Sequence, residues 1–243
     1  MSETKQSILA VIPARSGSKR VPKKNIRNLG NKALVSYLIE SAGKSKLIDK
    51  LILSTDDYEI KGIGMSLGVE IPFERPDYLS SDYASLISVV KHAYNYYREL
   101  GVNYDAVVSL QPTCPFTSVQ TIDKIISLWK RTKCDSVTTV AEITQGHPYI
   151  AKSLKGDGVI KNFCIIPEDA VVTPSQKREK AYYLTGGIYL RDKRILDSNE
   201  LTGHCLGTDS RGVVVSEIEA VDINTEADFK YAQFLQEQGI LNI

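Results

Sequence analysis

The chain has few residues that could fix its shape through cross-links or a resident metal. Its four cysteines, Cys114, Cys134, Cys164 and Cys205, are far apart and form no C-x-x-C pair. That argues against both a disulfide framework and a zinc site. Long apolar runs are also missing. The polar start MSETKQS leads only into the short run Ile8–Ile12, far below the ~20 residues that a membrane-spanning helix needs. Nothing reads as a secretory signal, so a cytoplasmic location is expected. There is no net charge to speak of: 30 Lys plus Arg against 29 Asp plus Glu leave +1. That balance argues against a protein dedicated to nucleic acid or to a membrane surface. No internal repeat and no low-complexity tract is present. One absence is local: no Asp or Glu occurs between Thr4 and Ile39, while Arg15, Lys19, Arg20, Lys23, Lys24, Arg27 and Lys32 crowd residues 15–32. Such a segment either receives an anion or forms a solvated basic loop.

The composition is ordinary for a folded domain, with 42% hydrophobic and 24% charged residues, and the length suits a single α/β domain over 1–243. Short apolar runs alternate with amphipathic stretches. ILAVI (8–12), LILST (51–55), VEIPF (69–73), DAVVSL (105–110) and DSVTTVAE (135–142) read as strands. Residues 34–46, 57–67, 84–99 and 118–131 read as helices, with Gly68 and Gly101 as stops. This order implies a doubly wound, mainly parallel Rossmann-like sheet with helices on both faces. Residues 143–185 break the rhythm. They hold three of the nine prolines and short strand-like pieces at 149–154 and 159–164, and read as an excursion from the sheet. A strand at 186–190, strand pieces within 213–223 and a helix over about 225–238 complete the chain.

The loop after the first strand, PARSGSKRVPKKN (13–25), lies where open α/β sheets bind ligands. Ser16, Gly17 and Ser18 are small enough for backbone amides to approach phosphate oxygens, and Arg15, Lys19 and Lys24 can neutralise a triphosphate. The loop is neither G-x-x-x-x-G-K-[ST] nor G-x-G-x-x-G, so it is neither a Walker A loop nor a dinucleotide fingerprint.

Ala14, Arg15, Ser18, Lys19, Pro22, Lys24 and Asn25 fit the pattern A-R-x-x-S-K-x-x-P-x-K-N. In this the chain resembles the CMP-sialic acid synthetases, the acylneuraminate cytidylyltransferases. The resemblance continues through Ser54-Thr55-Asp56, Arg75-Pro76, Ser81-Asp82 with Ala84-Ser85, Leu110-Gln111-Pro112-Thr113 with Pro115, His147-Pro148, Gly186 with Ile188-Tyr189, and Asp222-Ile223-Asn224-Thr225-Glu226. Seven motifs in family order are a specific signal. Tyr83 departs from the pattern, where the family has Thr.

The resemblance implies that CTP and an acidic keto-sugar are the substrates. The sugar's anomeric hydroxyl attacks the α-phosphorus and pyrophosphate leaves. It implies that Arg15, Lys19 and Lys24 hold phosphates and that Asn25 and Arg75 contact the nucleotide, with a surface ion pair as the alternative for Arg75. It implies that the turn at Ala84 and Ser85 reads cytosine, or simply starts a helix. Gln111 and Tyr183 are the implied sugar contacts. Asp222 is the implied Mg²⁺ ligand. Asn224 stands at the second acidic position of the family's D-x-D, either as a neutral ligand or as the cap of the last helix. Asp56 is a further metal candidate or the cap of the helix that follows it. Two positions where sialic-acid members carry Arg hold Thr117 and Tyr183 here, and Thr185 replaces an Asn. The sugar carboxylate would then need another cation, and Lys177, Arg178 and Lys180 are available. The implied acceptor is a different nonulosonic acid or a Kdo-like acid. In the family the excursion reaches across a two-fold axis, so a homodimer is implied. A nucleotidyltransferase for another base and a non-catalytic nucleotide-binding protein remain as competing readings.

Overall fold

A computed structural model describes residues 6–168, 178–198 and 204–239. The strands are β1 (Ile8–Pro13), β2 (Asn28–Leu29), β3 (Lys32–Ala33), β4 (Lys50–Ser54), β5 (Ala106–Leu110), β6 (Ser136–Glu142), β7 (Lys152–Leu154), β8 (Ile160–Asn162), β9 (Tyr182–Asp192) and β10 (Ser210–Val214). The helices are α1 (Leu34–Gly43), α2 (Tyr58–Ser66), α3 (Asp77–Ser80), α4 (Leu86–Glu99), α5 (Val119–Thr132), α6 (Lys193–Asp197) and α7 (Glu226–Glu237).

Six strands form the main sheet in the order β10-β6-β9-β5-β1-β4. All run parallel except β9, which is antiparallel to both β5 and β6. Side-chain alternation divides the core between the two faces. On β1, Ile8, Ala10 and Ile12 join α1 and α5 on one face, while Leu9 and Val11 join α4 on the other. A third cluster packs Val21, Leu29 and Leu34 against Ile223, Phe229 and Leu235. It seats the basic loop on the last helix.

From β1 the chain crosses to β4 on one side and later to β5 on the other. The crevice between the carboxyl ends of β1 and β5 is therefore the topological switch point. Both motif-bearing loops, 13–25 and 111–117, leave the sheet there.

The expected strand at 69–73 does not form. Glu70 makes one isolated parallel bridge to Ile52, and the Leu53 amide donates to its carbonyl at 2.9 Å. Pro72, two residues on, has no amide to extend the ladder. Helix α2 is capped by Asp57, whose side chain accepts from the amides of Glu59 and Ile60, not by Asp56. The last helix begins with a capping box between Thr225 and Asp228, so Asn224 is not its cap.

In the excursion, β7 and β8 pair as a small antiparallel hairpin, and Leu154, Ile160, Phe163 and Ile165 are exposed on or beside it. Lys177 lies outside the described residues. Where β9 re-enters the sheet, its pairing with β6 shifts between Thr138 and Val140. The irregularity places Gly186 at φ +81, a conformation that side chains rarely tolerate.

Candidate active site

A cavity of about 450 Å³ opens at the switch point, within the size range of small-molecule sites. Among the residues named from sequence, Arg15, Ser18, Lys19, Lys24, Asn25, Arg75, Ala84 and Gln111 line it, as does Arg20. The wall opposite the basic loop is formed by Leu79, Ser81 and Asp82.

The loop is shaped by a few internal bonds. Lys23 adopts a left-handed conformation just before the short 3-10 turn Lys24–Ile26. The buried Asn25 donates its amide to the Arg15 carbonyl at 2.9 Å and so closes the loop on itself. Ser16 is drawn away from the cavity, because its amide and its hydroxyl both donate to Asp56, at 3.0 and 2.8 Å. The Ser18 amide donates to the Ser16 carbonyl. Two of the amides expected to face phosphate are therefore committed inside the protein, and the cavity is charged by side chains. Gly17 is exposed beside it.

The cations are held in different ways. Arg15 Nη1 lies 2.9 Å from Asp82, and Lys19 Nζ lies 2.5 Å from the same carboxylate. Lys19 and Arg15 together hold the Asp82 carboxyl below the usual carboxylate range. Lys24 is half-buried and donates to the Ile223 carbonyl at 2.7 Å. Burial lowers its pKa from the ordinary 10.5, with nearby Asp222 opposing the shift. Arg75 is buried to 4% exposure. Its guanidinium donates to the Ser54 hydroxyl at 3.1 Å and to the Ser54 carbonyl at 2.5 Å. Desolvation brings its pKa down to about 10. It forms no ion pair among the described residues, so the surface-pair reading does not apply.

Ala84 lines the cavity, and Ser85 caps α4 by accepting from the Ser88 amide. Gln111 leaves β5 with its amide donating to the Gly187 carbonyl at 2.9 Å. Its side-chain nitrogen is buried and has no partner among the described residues. Tyr183 stands on the exposed part of β9 and does not line the cavity. Thr117 is buried and donates to the Cys114 carbonyl. Lys180 pairs with Glu142 at 2.8 Å.

Asp222 sits beside Lys24 and the bulge of β9, where a Cβ on Gly186 would meet its Oδ2 at 3.6 Å. Oδ2 accepts from the Asn224 side chain at 2.6 Å, and the buried Oδ1 has no partner among the described residues. An orphaned carboxylate oxygen next to phosphate-binding cations fits a hard divalent ion. No group of three His, Cys, Asp or Glu that could hold a metal occurs among the described residues. Such an ion would therefore depend on substrate oxygens for most of its shell, a usual arrangement for Mg²⁺. Asn224 is engaged at both ends, since its Oδ1 accepts from Arg20 at 3.1 Å. Sequence reasoning gave no role to Asp82 or Arg20. Asp82 belongs to a motif and Arg20 to the basic segment, but the partners of both lie far along the chain, so no local pattern shows these contacts.

Comparison with known proteins gives consistent results. A family profile described as "Cytidylyltransferase" matches residues 9–197. The chain is 29% identical over 232 residues to the CMP-N,N'-diacetyllegionaminic acid synthase of Legionella pneumophila subsp. pneumophila, covering 95% of this chain and 96% of that one. It is 44% identical over 107 residues to a pseudaminic acid cytidylyltransferase of Campylobacter jejuni subsp. jejuni, covering 44% of this chain and 46% of that one. Its fold matches that of CMP:2-keto-3-deoxy-manno-octonic acid synthetase complexed with CTP, with a TM-score of 0.70, 16% identity, and coverage of 96% of this chain and 100% of that one.

Proposed function

The chain belongs to the cytidylyltransferase family, and from that premise we propose that it transfers CMP from CTP to the anomeric hydroxyl of a nonulosonic acid. Pyrophosphate is the second product. The observation that carries this reading is the convergence of Arg15, Lys19, Lys24 and Arg75 on one cavity at the switch point.

Attack at the α-phosphorus builds negative charge on phosphoryl oxygens, and fixed cations stabilise it without reorganising. Lys24 and Arg75 are already anchored on backbone carbonyls and supply that fixed charge. Arg15 and Lys19 rest on an exposed carboxylate and turn to the triphosphate as it enters. Asn25 keeps the loop closed. The cytosine lies toward Ala84 and Ser85, at the start of α4. Gln111 offers its unpartnered amide to an oxygen of the sugar. Mg²⁺ is the cofactor of this reading, held by Asp222 with Asn224 alongside, and when bound it would neutralise phosphate charge.

The relatives that share most of the chain act, by their names, on legionaminic and sialic acids, and the Campylobacter jejuni relative acts on pseudaminic acid. An acceptor of that class fits the excess of cations at the cavity. Among the described residues no helix is long and apolar enough to cross a membrane, and a reaction that consumes CTP belongs in the cytoplasm. The hairpin β7–β8, with Leu154, Ile160 and Phe163 exposed, is the surface through which a second copy would bind to make a homodimer. Sedimentation that shows only monomer at micromolar concentration would remove that part of the reading.

The test of function is a pyrophosphate-release screen with Mg²⁺, offering CTP, UTP, GTP and ATP against sialic, legionaminic, pseudaminic and Kdo-type acids. Turnover confined to CTP with a nonulosonic acid is expected. Preference for another base, or turnover with none of the acids, would overturn the reading.

A further inference from the structure

The cavity has two charged ends, and they are tied to different parts of the chain. At one end, Arg15 and Lys19 reach to Asp82, next to the Ala84–Ser85 turn. At the other lie Gln111 and Thr113, and residues 222–224, just outside the lining, are fixed to that loop: the Ile223 amide donates to the Thr113 carbonyl at 2.8 Å, and the Ile223 carbonyl accepts from Lys24. Arg20 belongs to this second end. Its guanidinium donates to Asn224 Oδ1 at 3.1 Å, and Asn224 in turn donates to Asp222.

The partners of the loop cations set Arg20 apart. Arg15 and Lys19 have Asp82, Lys23 has Glu59, and Arg27 has Glu226. Lys24 is held on a carbonyl. Arg20 is exposed, lines the cavity, and has only the neutral Asn224 for a hydrogen-bond partner among the described residues. The acid that feels its charge is Asp228. Its Oδ2 already accepts from the amides of Asn224 and Thr225 and from the Thr225 hydroxyl, within the cap of α7, and it makes no ion pair with Arg20 among the described residues. A guanidinium has five donors in a planar fork, and a single bond to an amide oxygen leaves most of them unused. The two positions at which the family resemblance would put a sugar-pocket arginine cannot supply the charge. Thr117 is buried with its hydroxyl committed, and Tyr183 lies away from the cavity lining.

We propose that Arg20, oriented by Asn224, receives the carboxylate of the acidic sugar at the acceptor end of the cavity. The assignment rests on the cytidylyltransferase reading above and names the residue that gives that site its preference for an acid. A carboxylate matches the planar fork in a two-bond arrangement. Its bond to Asn224, on the segment tied to the Gln111 loop, and the absence of any pairing with Asp82 among the described residues separate it from the cations at the nucleotide end.

The test uses Arg20→Gln and Arg20→Lys in the full chain, with whichever acid of the panel the wild type turns over, and with the methyl ester of that acid. CTP binding is measured separately by calorimetry. For Arg20→Gln, KM for the acid should rise by about tenfold or more, the scale of a lost charge-assisted bond, with kcat and the CTP Kd little changed. Arg20→Lys should recover part of the loss. The methyl ester should be a poor acceptor for the wild type, and Arg20→Gln should leave its KM unchanged, so that the preference for acid over ester collapses in the variant; a merely structural role would raise both KM values together. If the CTP Kd weakens by the same factor, Arg20 serves the triphosphate and the assignment is wrong. An unmoved acid KM in a variant whose wild type turns over sinks the Arg20 assignment alone. Failure of the wild type with every acid removes the functional reading and this assignment with it.

Discussion

The carboxylate of Asp82 lies 2.9 Å from the guanidinium of Arg15. Lys19 approaches the same carboxylate from the loop, so an internal anion occupies the place where two cations would meet a triphosphate. Exposed pairs of this kind are weak and screened by salt, and a polyanion can displace them.

Removing that competitor should help binding. Asp82→Asn keeps the shape of the side chain and frees both cations. CTP is expected to bind a few-fold more tightly in low salt, and the gain should fade as ionic strength rises. Calorimetry at two salt concentrations checks this. Weaker CTP binding in the variant would mean that Asp82 positions the cations and does not compete for them.

Lys24 should set an alkaline limit on activity. Burial lowers its pKa below the ordinary 10.5, so the free enzyme loses this charge at a lower pH than an exposed lysine would. The protonated form is the one that binds phosphate. The profile of kcat/KM should therefore fall as pH rises through that lowered value, and Lys24→Arg should move the limb to higher pH. Lys24→Ala should lose about 2–4 kcal/mol of transition-state stabilisation, the scale of one electrostatic contact in a site. An unchanged kcat/KM in Lys24→Ala would show that the cation is elsewhere.

Asp222 should be separable from the fold. Asp222→Ala removes the orphaned oxygen and the partner of Asn224 without touching the hydrophobic core. Circular dichroism should be unchanged, while activity falls steeply and the Mg²⁺ titration midpoint rises. A normal titration with a normal rate would remove Asp222 from the metal site.

Arg75 should serve both stability and binding. Its guanidinium donates to the Ser54 hydroxyl and carbonyl at the end of β4, and Arg75→Ala would remove both buried charge-assisted bonds, while the carbonyl keeps the Ala14 amide. A cost of about 1–3 kcal/mol is expected, read as a lower denaturation midpoint together with weaker CTP binding. Arg75→Ala with wild-type stability would show that the two bonds to Ser54 add nothing net to the fold.

The sequence carried most of the fold because its parallel strands are short, apolar and buried on both faces, as β1 and β5 illustrate. It misled at 69–73, where an apolar run looked like a strand but offers one bridge to the edge β4. It also offered the wrong acid as the cap of α2: Asp56 was the candidate, but the geometry sends Asp57 to the helix and Asp56 to Ser16. The site was legible where its residues share one loop. The charge of residues 15–32 and the place of the loop 13–25 after β1 pointed to an anion site, and Arg15, Lys19 and Lys24 do line one cavity. What sequence could not show were the contacts that cross the chain: Asp82 with Lys19, Asn224 with Arg20, Asp222 beside the β9 bulge. Those pairings follow from the winding of the sheet, and no local periodicity encodes them.

The last helix deserves to be counted as part of the active site, although it places no side chain in the cavity lining. Phe229 and Leu235 pack with Val21 and Leu29, which flank the basic turn, and residues 222–224 lead directly into that helix. It follows that the catalytic unit extends past residue 197, where the family match stops. A shortened chain that kept every matched residue but lost this buttress would leave the basic loop without its foundation, and it should fail to grip nucleotide even with each cation in place.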